Sequence, residues 1–227
     1  MSAVHAFVER LQAQPRCPGV FNPWSQHDPE NDLCTACPDW RAEHLAAYLS
    51  ERAGRARWLL VAEAPGYQGA KRSGIAMTSE RMLLGGLVEK GIEPKDILCS
   101  PPRRTSRPEV HPSGVNEPTA TIVWSQLKTL GLDTREIVLW NAFAFHPHRA
   151  GEPLSNRAPT RGEVASGRAL LEQFRDVFAD AEVVAVGKVA QGLLTELSIE
   201  ARSVRHPSMG GAAQFREQFA VIARERC

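Results

Sequence analysis

The chain of 227 residues is long enough for one sizeable α/β domain and short for two. Hydrophobic residues at 43% and charged residues at 23% are the mix of an ordinary soluble globular protein, and no apolar run approaches the length that spans a bilayer. A formal net charge of +1 argues against a polycation coating long stretches of nucleic acid, yet leaves room for contact with a few phosphates through local arginines. Met1–Arg16 lacks a basic-then-apolar leader pattern, so a cytoplasmic location is expected. Five cysteines, an odd number in such a chain, argue against a disulfide framework.

Along the chain, Gln14–Asp32 is irregular and rich in Pro, Asn and Asp. A helix is expected over Ala42–Arg52, stopped by Gly54. Trp58-Leu59-Leu60-Val61 reads as a strand buried on both faces. A helix from about Ser79 to Glu89 ends at Gly91, and Ser100–Pro118 reads as a functional or mobile loop. Ala120–Leu130 is helical up to Gly131, and Ile137-Val138-Leu139-Trp140 is the second strand. Thr160-Arg161-Gly162-Glu163 is a capping box that opens a helix carrying Leu170, Leu171, Phe174 and Phe178. Val183-Val184-Ala185-Val186 is the third strand, a weaker fourth covers about Ala201–Arg205, and Gln214–Arg224 is an amphipathic helix. This alternation is the signature of a parallel sheet covered by helices on both faces. No linker divides the chain, so residues 1–227 are expected to form one domain, with 1–55 an extension packed on it.

Polar clusters follow the strands. Glu63-Ala64-Pro65-Gly66 follows the first, Asn141 ends the second, and His206-Pro207-Ser208 follows the fourth. In open parallel sheets the ligand crevice lies beyond the carboxyl ends of the strands. Taken alone, each cluster is more readily a turn or a cap; the combination, in this order, points to a site.

Ala62-Glu63-Ala64-Pro65-Gly66-Tyr67 resembles the first motif of the uracil-DNA glycosylase superfamily, in the form used by its family 4 branch. His206-Pro207-Ser208 resembles the last motif, and Asn156-Arg157-Ala158-Pro159 resembles a family 4 stretch. The resemblance covers about residues 56–225. It implies an αβα fold in three layers, with a central four-stranded parallel sheet. It also implies that Asn141 reads the base and that His206 lies beside the base's O2. A side-chain amide both donates and accepts, which suits O4 and N3–H of uracil. Glycine at position 66 lets backbone approach a ligand. Tyr67 is a candidate wall against a 5-methyl group, with Pro65 and Ser208 also lining the pocket. Met209 stands where the family carries a wedge residue. Lys71, Arg72, Arg149 and Arg157, in loop-like sequence, are candidate phosphate contacts, with Arg103-Arg104 and Arg161 further basic residues.

The chain departs from the family pattern in three places. Ala64 occupies the position of a water-activating aspartate, so either Glu63 helps to position water or the reaction is largely dissociative. Where the family commonly has Gly-x-Pro-Phe, this chain has Gly74-Ile75-Ala76-Met77, and Met77 would lie against the base more loosely than a ring. Family 4 members hold a [4Fe–4S] cluster with four cysteines. Here Cys34-Thr35-Ala36-Cys37 keeps the early pair, while Phe145-His146 stands where a later cysteine is expected. Cys17 and Cys99 would have to complete a rearranged iron–sulfur or zinc site, so the expectation is no cofactor. Cys227 is taken as incidental. His146-Pro147-His148 lacks an evident third metal ligand and is expected in a DNA-facing loop.

The resulting expectation is a monomeric, monofunctional glycosylase acting on DNA that contains uracil or another deaminated base, with His206, Glu63 and Asn141 as its chemistry. Two rivals remain: a catalytically weak lesion-binding protein on the same fold, and an unrelated α/β enzyme of nucleotides or small molecules. The second lacks a phosphate-binding glycine spacing in Glu63–Gly69.

Overall fold

A computed structural model describes residues 2–225. Helix α1 (Ala3–Gln12) buries Val4, Phe7, Val8 and Leu11, which recur at one-turn spacing and so form a single apolar face. A short strand β1 (Val20–Phe21) follows, then α2 (Cys37–Ser50) and the first long strand β2 (Trp58–Ala62). Three single-turn helices come next, α3 (Ala70–Ser73), α4 (Glu80–Leu83) and α5 (Pro94–Ile97), before α6 (Pro118–Thr129). Strand β3 (Ile137–Asn141) is followed by β4 (His146–Pro147) and α7 (Arg161–Val177). The chain then runs through β5 (Glu182–Val186), α8 (Lys188–Glu196), β6 (Arg202–Val204) and α9 (Ala212–Arg224).

Four strands form one parallel sheet in the order β3-β2-β5-β6, flanked by helices in an αβα layering. Every residue of β2 and β3 is buried, as uninterrupted apolar strands covered on both faces must be. β1 and β4 make a separate antiparallel pair, joining Val20 to Pro147 and Phe21 to His146. On one side Phe7 of α1 and Phe174 of α7 pack on Trp140, with ring centroids 5.5 and 4.5 Å away. Residues 2–55 therefore contribute to the same core as the sheet.

Strand β3 lies at the sheet's edge, and α2 closes that edge. The Leu139 N–H donates to the Tyr48 hydroxyl (2.8 Å), and Arg52 Nε–H donates to the Ile137 carbonyl (2.9 Å). The Arg52 guanidinium also lies 3.7 Å from the Tyr48 ring centroid. Backbone groups that would otherwise template another strand are thus used internally.

The expected helix over Ser79–Glu89 is instead one α-turn followed by Gly85 at φ +80° and a 3₁₀ turn at Val88–Lys90. Nor is Ser100–Pro118 a free loop. The buried Glu80 carboxylate accepts N–H bonds from Thr105 (2.6 Å), Ser106 (2.8 Å) and Val115 (3.3 Å), and hydroxyl bonds from Thr105 and Ser106. Burial would raise the Glu80 pKa, but these donors lower it below its ordinary value.

Two expected DNA contacts need correction. Lys71 and Arg72 are helical and buried, not in an exposed loop. Lys71 Nζ lies 3.0 Å from Asp28, and Arg72 Nη1 lies 3.2 Å from Asp28 and 3.6 Å from Asp32. Arg41 completes the cluster with a two-pronged pair to Asp32 at 2.8 Å for each bond. Buried charges need such partners, so the irregular acidic segment before residue 33 consumes these cations.

Burial would raise the Asp28 pKa, but the Asn31 amide and the charges of Lys71 and Arg72 bring it down to about 2. An unfolded aspartate titrates near ~3.9. The contribution is therefore complete above about pH 4 and is lost as pH falls towards 2. Asp28→Asn is expected to cost about 3–5 kcal/mol in urea unfolding at pH 7, because it leaves Lys71 buried without its counter-ion. The same variant should lose part of the acid dependence of stability between pH 4 and 2.

Candidate active site

Parallel pairing aligns the carboxyl ends of the strands. Ala62 pairs with Asn141 across β2 and β3, and the next residues continue the contact: Ala142 N–H donates to Ala62 O (2.8 Å) and Phe143 N–H to Glu63 O (3.0 Å). On the other side, Val61 pairs with Ala185, Val186 pairs with Val204, and Gly187 N–H donates to Val204 O (2.8 Å). Residues 62–66, 141 and 206–208, far apart in sequence, therefore meet on one rim.

They line a single cavity of about 480 Å³, within the usual range of small-ligand sites. Ala62, Glu63, Ala64, Pro65 and Gly66 form one wall, with Ala70 and Met77 beside them; Asn141, His206 and Ser208 complete the expected set. Asn141 is buried, yet among the described residues its side-chain amide has no protein partner. Its donors and acceptor are thus available to a ligand.

His206 is held by its own motif. Its Nδ1 accepts the Ser208 backbone N–H (3.2 Å) and lies 2.7 Å from the Ser208 hydroxyl. Burial, then the charge of Arg205, lowers its pKa and favours the neutral ring. With Nδ1 an acceptor, the neutral ring carries its proton on Nε2. Gly187 permits this placement, since a Cβ there would stand 2.8 Å from the His206 Cβ. The ring is a neutral hydrogen-bond donor at the cavity.

Met77 has a left-handed backbone (φ +45°), which costs a side-chain-bearing residue roughly 1–3 kcal/mol. Trp124 holds it there, its Nε1–H reaching Met77 O and Thr78 Oγ1, each at 3.1 Å. Glu63 is half-buried, and burial raises its pKa. It also lines an adjoining cavity of about 470 Å³ with Lys188, Arg205 and His206.

The remaining expectations divide. Tyr67 does not line the cavity; its backbone N–H donates to Asn156 Oδ1 (3.1 Å), which brings Asn156 into the wall. Arg157 touches the cavity but has no donor to spare. All five of its N–H groups reach acceptors: Glu163 at 2.6 and 2.8 Å, and the carbonyls of Gly19, His148 and Ala158. Its expected phosphate contact is corrected on that ground. Arg149 remains at the surface, its side chain in an exposed pair with Glu152 at 3.5 Å. Met209 is 91% exposed, with φ +51°.

His146 is buried beneath the first motif rather than in an exposed loop. Its Nδ1 lies 2.8 Å from Pro65 O, and burial brings its pKa down to about 4. It braces the wall. Cys34 and Cys37 place their sulfurs 4.0 Å apart, but the Cys37 thiol donates to Thr105 O (3.3 Å), and burial pushes its pKa up to about 11. Cys99 accepts from Arg135 (3.1 Å), and Cys17 is exposed beside Pro18. Among the described residues no three His, Cys, Asp or Glu side chains gather to hold a metal ion. These cysteines do not fit a four-cysteine cluster; Cys227 lies outside the described residues.

Glu117 and Thr119, at the start of α6, also line the cavity. Sequence reasoning passed over both because they belong to no motif. The one local signal is a glutamate directly before Pro118, where a helix usually takes Ser, Thr, Asp or Asn as its cap.

A family model described as the uracil DNA glycosylase superfamily matches residues 50–223. Among solved structures, the chain is similar to the crystal structure of wild-type SMUG2 from Pedobacter heparinus. The TM-score is 0.62 and the identity 11%, over 100% of this chain and 98% of that one. At that identity the likeness concerns the fold. Comparison with curated proteins finds no match. The family match covers well over half of the chain and includes β2, the cavity and most of α9. The chain belongs to the uracil-DNA glycosylase superfamily.

Proposed function

We propose that this protein is a monofunctional DNA glycosylase that hydrolyses the N-glycosidic bond of uracil, or of another deaminated base, leaving an abasic site. The observation that carries the reading is one cavity holding both an unpartnered Asn141 amide and a neutral His206 that presents Nε2–H. A base inside a duplex must leave the stack to reach such a cavity, and is then read on its hydrogen-bonding edge. The Asn141 amide complements a keto oxygen beside a ring N–H. His206 donates to the base oxygen on which charge accumulates as the C1′–N bond breaks.

Ala64 offers no base to the attacking water. Bond cleavage therefore runs ahead of water addition, and Glu63 is the nearby carboxyl of the motif that can orient the water. Met209, nearly fully exposed on its left-handed backbone, suits a wedge that fills the vacated stack. Lys188 and Arg205, beside the adjoining cavity, and the surface Arg149 are the basic side chains best placed to meet phosphates.

His206→Ala should lower single-turnover excision from a uracil-containing oligonucleotide by about 10²–10³-fold, the usual cost of one transition-state donor; an unchanged rate would remove His206 from the chemistry. Asn141→Asp should lose uracil excision while keeping the fold, with circular dichroism as the control. Met209→Ala should weaken excision from duplex DNA more than from single strands, and equal losses would argue against the wedge.

A further inference from the structure

Of two glutamates in this region, Glu80 is fully buried and Glu117 is partly exposed at the cavity with its Oε2 withdrawn from solvent, and among the described residues only Glu80 has an evident structural use. Glu80 spends its carboxylate on backbone and hydroxyl donors of the 105–115 segment. Glu117 does none of this. Its Oε2 is shut off from solvent without a hydrogen-bond partner, and its side chain makes no cap bond to the amides of α6. Its position is nonetheless firmly set. Two residues earlier, Val115 N–H donates to Glu80 and Arg81 N–H donates to Val115 O (3.0 Å). The carboxyl then lies against the backbone of Gly69, where an added Cβ would stand 2.7 Å from Cδ. Any side chain at 69 would expel it. A pinned carboxyl with one unpartnered buried oxygen, on the wall that it shares with Asn141 and His206, has the features of a group kept for a ligand.

We propose that Glu117 is a second acid of this site, hydrogen-bonding the flipped base and giving it a proton as the glycosidic bond breaks. This rests on the glycosylase reading above. Among the described residues no cation pairs with Glu117 to hold it ionised. Of the charged groups lining the cavity, Arg157 is bound through all five N–H groups, His206 is neutral, and Glu63 is itself an acid. Lys71 and Arg72, which follow Gly69, are paired with Asp28 and Asp32. The N-terminus of α6 favours an anion but offers no bonded amide. Burial accordingly pushes the Glu117 pKa up to about 7, with no neighbouring charge contributing.

The step balances. As the C1′–N bond breaks, its electron pair passes to the base. The Glu117 proton moves to a keto oxygen or ring nitrogen of that base, leaving a carboxylate. Water bonds to C1′ and gives up a proton, which restores the acid. A neutral carboxyl at the cavity wall is matched to charge that develops on a departing base.

The test is single-turnover excision from oligonucleotides bearing uracil, hypoxanthine or xanthine between pH 5.5 and 8.5, for wild type, Glu117→Gln and Glu117→Ala. The wild-type rate should fall as pH rises through about 7, because the neutral acid is fully present below that value and lost above it. Glu117→Gln keeps shape and neutrality but cannot give up a proton. It should lose about 10²-fold or more and flatten the pH profile. Its defect should shrink on 5-fluorouracil, a better leaving group, whereas a merely structural loss would not depend on the base. Binding of a non-cleavable 2′-fluorouridine oligonucleotide by Glu117→Gln should stay near wild type. A fully active Glu117→Gln, or a wild-type rate that rises through pH 7, overturns the inference while leaving the glycosylase reading in place. A wild type that excises none of the bases overturns both.

Discussion

The site depends on one constraint, the parallel registration of β3, β2, β5 and β6. Because Ala62 lies level with Asn141, and Val186 with Val204, three short segments emerge on the same edge of the sheet. None of them could form the cavity from its own local structure. A slip of one residue between β2 and β3 would turn the Asn141 side chain to the opposite face. The hydrogen bonds from Ala142 and Phe143 to Ala62 and Glu63 extend the pairing past the strand ends, into the site itself.

Around this rim the protein spends its charges on itself. Lys71, Arg72 and Arg41 neutralise Asp28 and Asp32 inside the protein, and Arg157 locks Glu163 at the capping box of α7. The result is a cavity lined by polar groups carrying little free charge: two amides, a neutral imidazole, the fully bonded Arg157 and two carboxyls whose desolvation favours the proton-bearing form. In such surroundings a hydrogen bond to a developing anion counts for more than it would in water. Lys188 and Arg205 line the adjoining cavity, and Arg149 stays at the surface in an exposed pair with Glu152.

Rigidity in the walls comes from groups with no chemical part to play. His146 binds Pro65 from beneath, Trp124 fixes the left-handed Met77, and Glu80 holds the segment that delivers Glu117. Each satisfies a buried backbone group. Loosening any of them would move a cavity residue without touching it.

The sequence alone determined the four strands of the parallel sheet, the capping box at Thr160 and Glu163, and the three polar clusters at strand ends; it did not show the short pair β1 and β4. These rest on local rules: runs of β-branched and apolar residues, cap chemistry, and short motifs. It also identified the family through the pairing of residues 62–67 with 206–208. The tertiary structure decided everything that turned on a partner distant in the chain. Lys71 and Arg72 read as surface cations until Asp28 and Asp32, some forty residues earlier, were seen to bury them. Ser100–Pro118 read as a functional or mobile loop, and only the structure showed that Glu80 holds it in place. Glu117 carried no local mark beyond an unusual helix cap, because an unpartnered carboxyl oxygen is defined by what surrounds it, and its neighbour Gly69 lies some fifty residues earlier in the chain.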